Sequence, residues 1–437
     1  MQSYPDSRIL SECEQSVYQT KSNRQVGAHR MPDLTVPRGS KVTLGHVEGD
    51  LETERDVVII AEGGVLLVDE RVLTEGGVVI NGSLKARELH ARDSDLEVRG
   101  DLTVQGDVRV SDAGLKISGS LTAESVDVDR DLDVGHDVTV EALDVGGRAE
   151  IKGNLKSGSI DVGGSLEVQG MVEGDEIDVG GSVRITEQVR CESIDVGGSV
   201  RVGGGKITRK IDVGGSFAST GPLDFEEIDV GGSVQLEGDS SGKRIDVGGV
   251  VRVKGNLKFE EIDVGGTIEI EGNGDGSEVD IGGLLTVKEN LTLSDGLEVG
   301  GKCTIGGALT AESVEVGGWI EAEEIKASEV EVGGSTRTVK GVRASSITIG
   351  DGGRVKGPLI GDRISLGERS EAEAIYGKDV TLEERCRAES IQAVDIRIES
   401  GSRIRGEVLY SGSLHAEEGV SFGIEPKKVA SLPTVPT

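Results

Sequence analysis

Aromatic residues make up only 2% of this 437-residue chain, with a single tryptophan. That shortage excludes a wide globular interior, which draws much of its buried area from rings. No run of about 18 apolar residues occurs, so there is no helical membrane span to read. The opening stretch, Met1 to Arg30, lacks the apolar segment of a secretory signal. The four cysteines, Cys13, Cys191, Cys303 and Cys386, show neither metal-ligand spacing nor a paired framework. Apolar spacing of the helical kind (i, i+3, i+4, i+7) is missing as well. Positive charge is short: 47 Lys and Arg against 79 Asp and Glu leave a net charge of -32. Nucleic acid and anionic lipid are therefore poor bulk partners. The expected location is the cytoplasm, with the N-terminal segment as the one place where contact with the inner face of the membrane stays open.

What the chain does have is glycine, 68 residues of it, and much of it sits in one phrase. Ile160-Asp161-Val162-Gly163-Gly164 returns at Ile177, Ile194, Ile211, Ile228, Ile245 and Ile262, with variants at Val126, Leu143, Val279, Leu297, Val314 and Val330. The step is 17 residues from Val126 to Val279 and then varies between 16 and 18. A period held that strictly marks a stacked repeat. Counting from the first residue of the phrase, apolar residues fall at i, i+2, i+6, i+8, i+12 and i+14, as in Val279, Ile281, Leu285, Val287, Leu291 and Leu293. Each pair is the alternation of a short strand with one buried face. Three strands offset by 6, 6 and 5 residues make a three-sided coil. The Gly-Gly pair supplies a corner where positive φ or close backbone packing excludes a Cβ.

The expected fold is thus all-β, a three-sided parallel β-helix (β-solenoid) of about 17 residues per rung and roughly 22 rungs, some 105 Å long at about 4.8 Å per rung. The hand preferred by parallel crossovers favours a right-handed coil. Residues 1–40 read as a disordered tail, within which Met31 competes with Met1 as the start. Residues 41–425 read as one continuous β-helix, most regular over 126–346, and 426–437 as a disordered C-terminal tail. Cys191, Cys303 and Cys386 index to inward positions, where free cysteine acts as a small hydrophobe. Phe217, Phe225, Phe259, Tyr376 and Tyr410 index inward too.

Three features are candidates for function. The first is the aspartate column at i+1: Asp127, Asp144, Asp161, Asp178, Asp195, Asp212, Asp229, Asp246, Asp263 and Asp280, continued by Glu298, Glu315 and Glu331. It faces outward and suits cations or a basic partner, although one carboxylate per turn is a thin ligand set for a metal. The plainer reading is that each Asp caps its own Gly-Gly corner as an Asx-turn. The second is the pair of open ends, whose strands carry unpaired N–H and C=O groups. Val57, Val58, Ile59 and Ile60 mark the N-terminal end, and Val420, Phe422 and Ile424 the C-terminal one. Self-association through these end rungs is the expected partner interaction. The third is Trp319, which stands where Ser165, Ser182 and Ser199 stand in other repeats and is a candidate lateral contact.

No catalytic residue, metal site or cofactor is expected. His29, His46, His90, His136 and His415 share no register and have no neighbouring nucleophile. A hexapeptide-repeat acyltransferase is the enzymatic alternative, but the regular register carries no long insertion for an acyl donor and no His base at a cleft. A surface adhesin or binding solenoid is the other.

The motif Val98-Arg99-Gly100-Asp101-Leu102, with Ile80-Asn81-Gly82-Ser83-Leu84, resembles the repeated short strands of the bactofilins, the polymer-forming cytoskeletal family. The resemblance is best over residues 45–125 and looser beyond. It implies a right-handed three-sided β-helix that assembles end to end into non-polar filaments without nucleotide and scaffolds client proteins in cell shape or positioning. This coil is longer than the family core, and the Asp-Val-Gly-Gly column is not a general family feature. Length and acidity together point to a haloarchaeal relative.

Overall fold

A computed structural model describes residues 33–435, all of them strand, turn or irregular, with no helix among them. The chain falls into two compact units, Met1–Gly170 and Met171–Thr437. Each is a parallel β-coil, and together they make about 23 turns of about 17 residues. The alternation read from the sequence explains how a turn is built. In the first unit, Ala142–Val145, Arg148–Ile151 and Leu155–Lys156 form three consecutive strands before the chain reaches the next turn at Ser159–Val162. Equivalent residues then pair in parallel without slip: Leu143 with Ile160, Asp144 with Asp161, Val145 with Val162. Leu143, Val145, Ile160 and Val162 are fully buried, while Asp144 and Asp161 between them are exposed. Each turn therefore buries a narrow stripe of aliphatic residues and hands the same stripe to the next.

The Gly-Gly corner is explained by crowding, not by positive φ. The amide of Gly163 donates to the Val145 carbonyl (2.9 Å) and that of Gly164 to the Gly147 carbonyl (2.9 Å), so corner backbone stacks on corner backbone. A Cβ at Gly163 would lie 2.5 Å from the Gly146 oxygen, and one at Gly164 2.5 Å from the Gly147 oxygen. The Asx-turn expected for the i+1 aspartates is therefore not what satisfies these amides; the turn below does. Positive φ is used instead in the outer turns. In the second unit it recurs at Gly352, Arg369, Arg385, Gly401 and Gly419, one residue per turn at the same corner.

The core of the second unit also alternates in size along the coil. Phe225 and Phe259 point inward and are buried, and the turns after them carry Gly242 and Gly276 at that position. A Cβ at Gly242 would sit 2.0 Å from the Phe225 ring, and one at Gly276 2.1 Å from the Phe259 ring. One turn's ring thus fills the space the next turn leaves. Phe217 is buried as expected, whereas Tyr376 and Tyr410 are half-exposed, which corrects their inward assignment. Tyr376 follows the fully buried Ile375, so alternation turns it outward.

The described coil extends beyond the expected limits of 41 and 425. Leu34–Val36 is already a strand, paired with Leu51–Thr53. At the other end Lys427–Lys428 pairs with Leu409 and Tyr410, and the Gln392 side chain donates to the Pro433 carbonyl (2.6 Å). The expected disordered tail at 426–437 is therefore folded over its described residues. The expected N-terminal tail up to residue 32, with Met31, Cys13 and His29, lies outside the described residues.

Corner crowding gives a test. Gly197 is exposed, yet a Cβ there would fall 2.6 Å from the Gly180 oxygen. Gly197→Ala is expected to destabilise the local turns by roughly 1–3 kcal/mol, as overpacking does, where an ordinary surface substitution stays within about 0.5 kcal/mol. Native-state hydrogen exchange of the amides of 194–215 measures it.

Candidate functional site

The aspartate column stacks in register. In the first unit Asp127, Asp144 and Asp161 lie side by side on consecutive turns. In the second, Asp178, Asp195, Asp212, Asp229, Asp246, Asp263 and Asp280 do the same and pass to Glu298, Glu315 and Glu331. All are outward; Asp212, Asp229 and Asp246 are half-exposed and the other aspartates are exposed. The stripe is bounded at its start by Arg109, opposite Asp127. A lysine on the adjoining column interrupts it. Lys210 Nζ reaches Asp212 (2.8 Å) and Asp229 (3.0 Å), and these two hydrogen bonds hold its ammonium above the ordinary lysine range. Where no cation intervenes, the neighbours repel. Asp144 is pushed above the usual carboxylate range, first by burial and then by Asp161 and Asp127. The column thus stores like-charge repulsion that salt relieves. Among the described residues no group of three or more His, Cys, Asp or Glu side chains is arranged to hold a metal ion.

The two expected ends fare differently. Val57, Val58, Ile59 and Ile60 are not an edge. They belong to Val57–Val68, paired on one side with Lys41–Leu44 and on the other with Val78–Ala86. Val57 and Ile59 are fully buried, and the described chain begins its pairing earlier, at Leu34–Val36. The apolar run is interior because strands lie on both of its edges. Val420, Phe422 and Ile424 do belong to the last turn. Ser421–Phe422 pairs with Arg403 and Ile404 on one side, and among the described residues no strand pairs with its other edge. Val420 and Phe422 are half-exposed and Ile424 is 54% exposed.

Trp319 is half-buried, with Lys302 Nζ 4.1 Å from its ring centroid and the Arg337 guanidinium 5.8 Å away. Its ring is thus engaged by cations of its own unit.

Two arrangements escaped the sequence reading. Asn256, Asn273 and Asn290 form an amide column 17 residues apart, begun by Asp239. The side-chain oxygens of Asp239, Asn256 and Asn273 each accept from both the backbone N–H and the amide of the next residue, as Asn256 Oδ1 does from Asn273 (2.9 and 3.1 Å), and Asn290 Oδ1 accepts from the Ala308 N–H. The spacing was visible, but nothing in composition marks these asparagines as paired. The column edges a polar groove with Ser241, Lys258, Asp275 and Thr292. The second is a corner of small donors. Ser370 Oγ donates to the Gly350 carbonyl (2.9 Å), Cys386 Sγ to Gly367 (3.1 Å) and Ser402 Oγ to Glu383 (3.0 Å). Cys386 is buried as expected but takes a hydroxyl's place. Burial pushes its thiol up to about 11, and those of Cys191 and Cys303 up to about 12, so none is a thiolate at neutral pH.

Comparison of the chain with protein-family models, with curated proteins and with solved structures finds no match. Among the described residues no helix is long and apolar enough to cross a membrane. The bactofilin resemblance therefore rests on the residues alone.

Two outcomes are expected. Asp144 has a folded pKa above its unfolded one, so the fold is favoured while the group is protonated and loses that contribution as pH rises through the folded value. Asp144→Asn should therefore raise the melting temperature at pH 7 and leave it unchanged below about pH 3.9, the unfolded carboxyl range; molar KCl should shrink the difference at pH 7. Cys386→Ser should be at least as stable as the native chain, whereas Cys386→Ala should lose about 1 kcal/mol with the donor, measured by thermal melts under reducing conditions.

Proposed function

We propose that this chain is a non-catalytic structural protein that polymerises end to end through its terminal turns and scaffolds other proteins in the cytoplasm. The observation that carries this reading is the edge of Ser421–Phe422, which no strand covers among the described residues. Phe422 continues the inward column above Ile404, which is fully buried, but Phe422 itself stays half-exposed. Elsewhere such residues are covered by the following turn. Ser421–Phe422 offers its free edge for strand addition, and a second copy's last turn supplies both the missing hydrogen bonds and the missing apolar cover. The resemblance of residues 45–125 to the bactofilins points the same way.

Phe422→Arg is expected to convert filaments seen by negative-stain electron microscopy into short units, because an arginine cannot enter the buried column. Filaments of unchanged length would remove this end from the contact.

A further inference from the structure

A recurring charge rule runs through this chain: a cation sits over a carboxylate of the neighbouring turn. Arg148 pairs with Glu167 (2.7 Å), Lys288 with Glu271 (2.9 Å), Lys340 with Glu323 (2.8 Å) and Arg405 with Glu389 (2.9 Å). One face of the second unit breaks the rule. It consists of the stacked strands Ser182–Ile185, Ser199–Val202, Ser216–Ser219, Ser233–Glu237 and Val250–Lys254. Their third residues are Arg184, Arg201, Ala218, Gln235 and Arg252, paired in that order. Arg184 and Arg201 are direct neighbours, an arrangement that is repulsive on a sheet. Neither they nor Arg252 has a carboxylate at ion-pair distance among the described residues. Glu237, which Arg201 influences, is itself held by Lys254 (2.7 Å) and Gln235 (2.9 Å), and Glu269, the strand partner of Arg252, is at ion-pair distance from Lys288 (3.5 Å). The first residues of the strands are short, with Ser182, Ser199 and Ser216 all exposed, so the face is flat and a partner's backbone can come close.

We infer that this arginine face is a lateral docking surface for the acidic column of a second copy of the same chain. Two observations select that occupant, and both act locally, against the overall repulsion between two copies of net charge -32. Its column from Asp246 through Asp263, Asp280 and Glu298 to Glu315 has no cation at ion-pair distance among the described residues, unlike the Asp212 and Asp229 that Lys210 occupies. Most decisive is pitch. Both columns advance by one turn, about 4.8 Å, so an arginine spaced by whole turns meets a carboxylate spaced by whole turns with no mismatch to accumulate. Arg184, Arg201 and Arg252 occupy the first, second and fifth turns of their face. In a side-by-side parallel arrangement those meet Asp246, Asp263 and Glu315 together. The donor and acceptor columns lie on different faces of the coil, so the contact is heterologous and leaves each copy a donor or acceptor column for a further neighbour. It is independent of the terminal turns.

The experiment uses the full chain. Wild type is examined by sedimentation velocity for mass and by electron microscopy for width, at low ionic strength and in about 1 M KCl, where screening shortens to about 3 Å. Wild type should form species at least two chains wide at low salt and single-width species in KCl. Arg184→Glu/Arg201→Glu/Arg252→Glu should raise the concentration needed for widening by roughly tenfold or more, with an unchanged circular dichroism spectrum. Asp246→Lys/Asp263→Lys/Glu315→Lys should fail alone in the same way, and an equal mixture of the two variants should widen again. Single-width wild type at low salt overturns the proposal, as does a triple-arginine variant that widens normally or a mixture that does not recover. Heparin binding lost in the arginine variant, with no widening of wild type, would assign the face to a foreign polyanion and overturn it too. Width separates this from end-to-end assembly: Phe422→Arg is expected to shorten the particles and leave their width unchanged.

Discussion

The constraint on which the regular turns depend is the stacking of backbone on backbone at the corner. There the carbonyl of one turn occupies the space that a Cβ of the next would need, as Gly181 does for Gly198 at 2.3 Å. This is a requirement between turns, not within one. It explains why glycine appears in pairs at a fixed period although neither residue of the pair needs positive φ. It also explains the uniformity of everything else. Once the corner is fixed to the same backbone path, the strands leaving it are in register, and whatever side chain follows the corner by a given number of residues meets its equivalent in the next turn. Corners of a different kind serve the outer turns of the second unit, where one residue per turn turns through positive φ and a small buried donor follows it. Arg369 and Arg385 take that strained position where Gly352 and Gly401 take it freely.

Register turns local chemistry into columns, and a column amplifies either sign of interaction. Asparagines so aligned satisfy one another through both the backbone and the amide. Phenylalanine aligned with glycine gives close packing without an aromatic-rich sequence. Aspartates so aligned repel, and burial adds to the effect at Asp144. A globular protein disperses such clashes; a coil repeats them. Acidic columns therefore persist only where something else answers them: a lysine such as Lys210, dissolved salt, or another molecule.

Much of the architecture was legible in the sequence for this reason. A strict period and a two-residue alternation fix which residues point inward, and Leu143, Val145, Ile160 and Val162 are buried as that pattern requires. The corner was legible as glycine, though not its cause. What the sequence concealed lies where pairing runs through the backbone and leaves no side-chain pattern. Lys427–Lys428 shows no apolar alternation, yet its backbone joins the last turns. Leu34–Val36 is too short to show a repeat, yet it already pairs with Leu51–Thr53, so the coil begins before the expected residue 41 and Val57–Val68 is not its edge. Tyr376 was misassigned because the late turns shift their steps by a residue, and alternation makes a one-residue shift a change of face.

The same logic bears on where a molecule of this kind can interact. Inside the regular region every edge is used, and outward residues are copies of those a turn away, so no single turn is distinguished from its neighbours. Distinction arises only where the repetition stops or where a column changes its sign. The first happens at Ser421–Phe422, where among the described residues Phe422 has a strand beneath it and none above. The second happens where Arg184 and Arg201 replace the alternation of cation and carboxylate found elsewhere. The two differ in physical character. An unfinished turn offers directional hydrogen bonds and apolar cover, and is insensitive to salt. A charged column offers pitch-matched attraction that salt removes. If the proposed contacts form, a coil that carries both has separate handles on length and on width, each set by a handful of residues in an otherwise uniform chain.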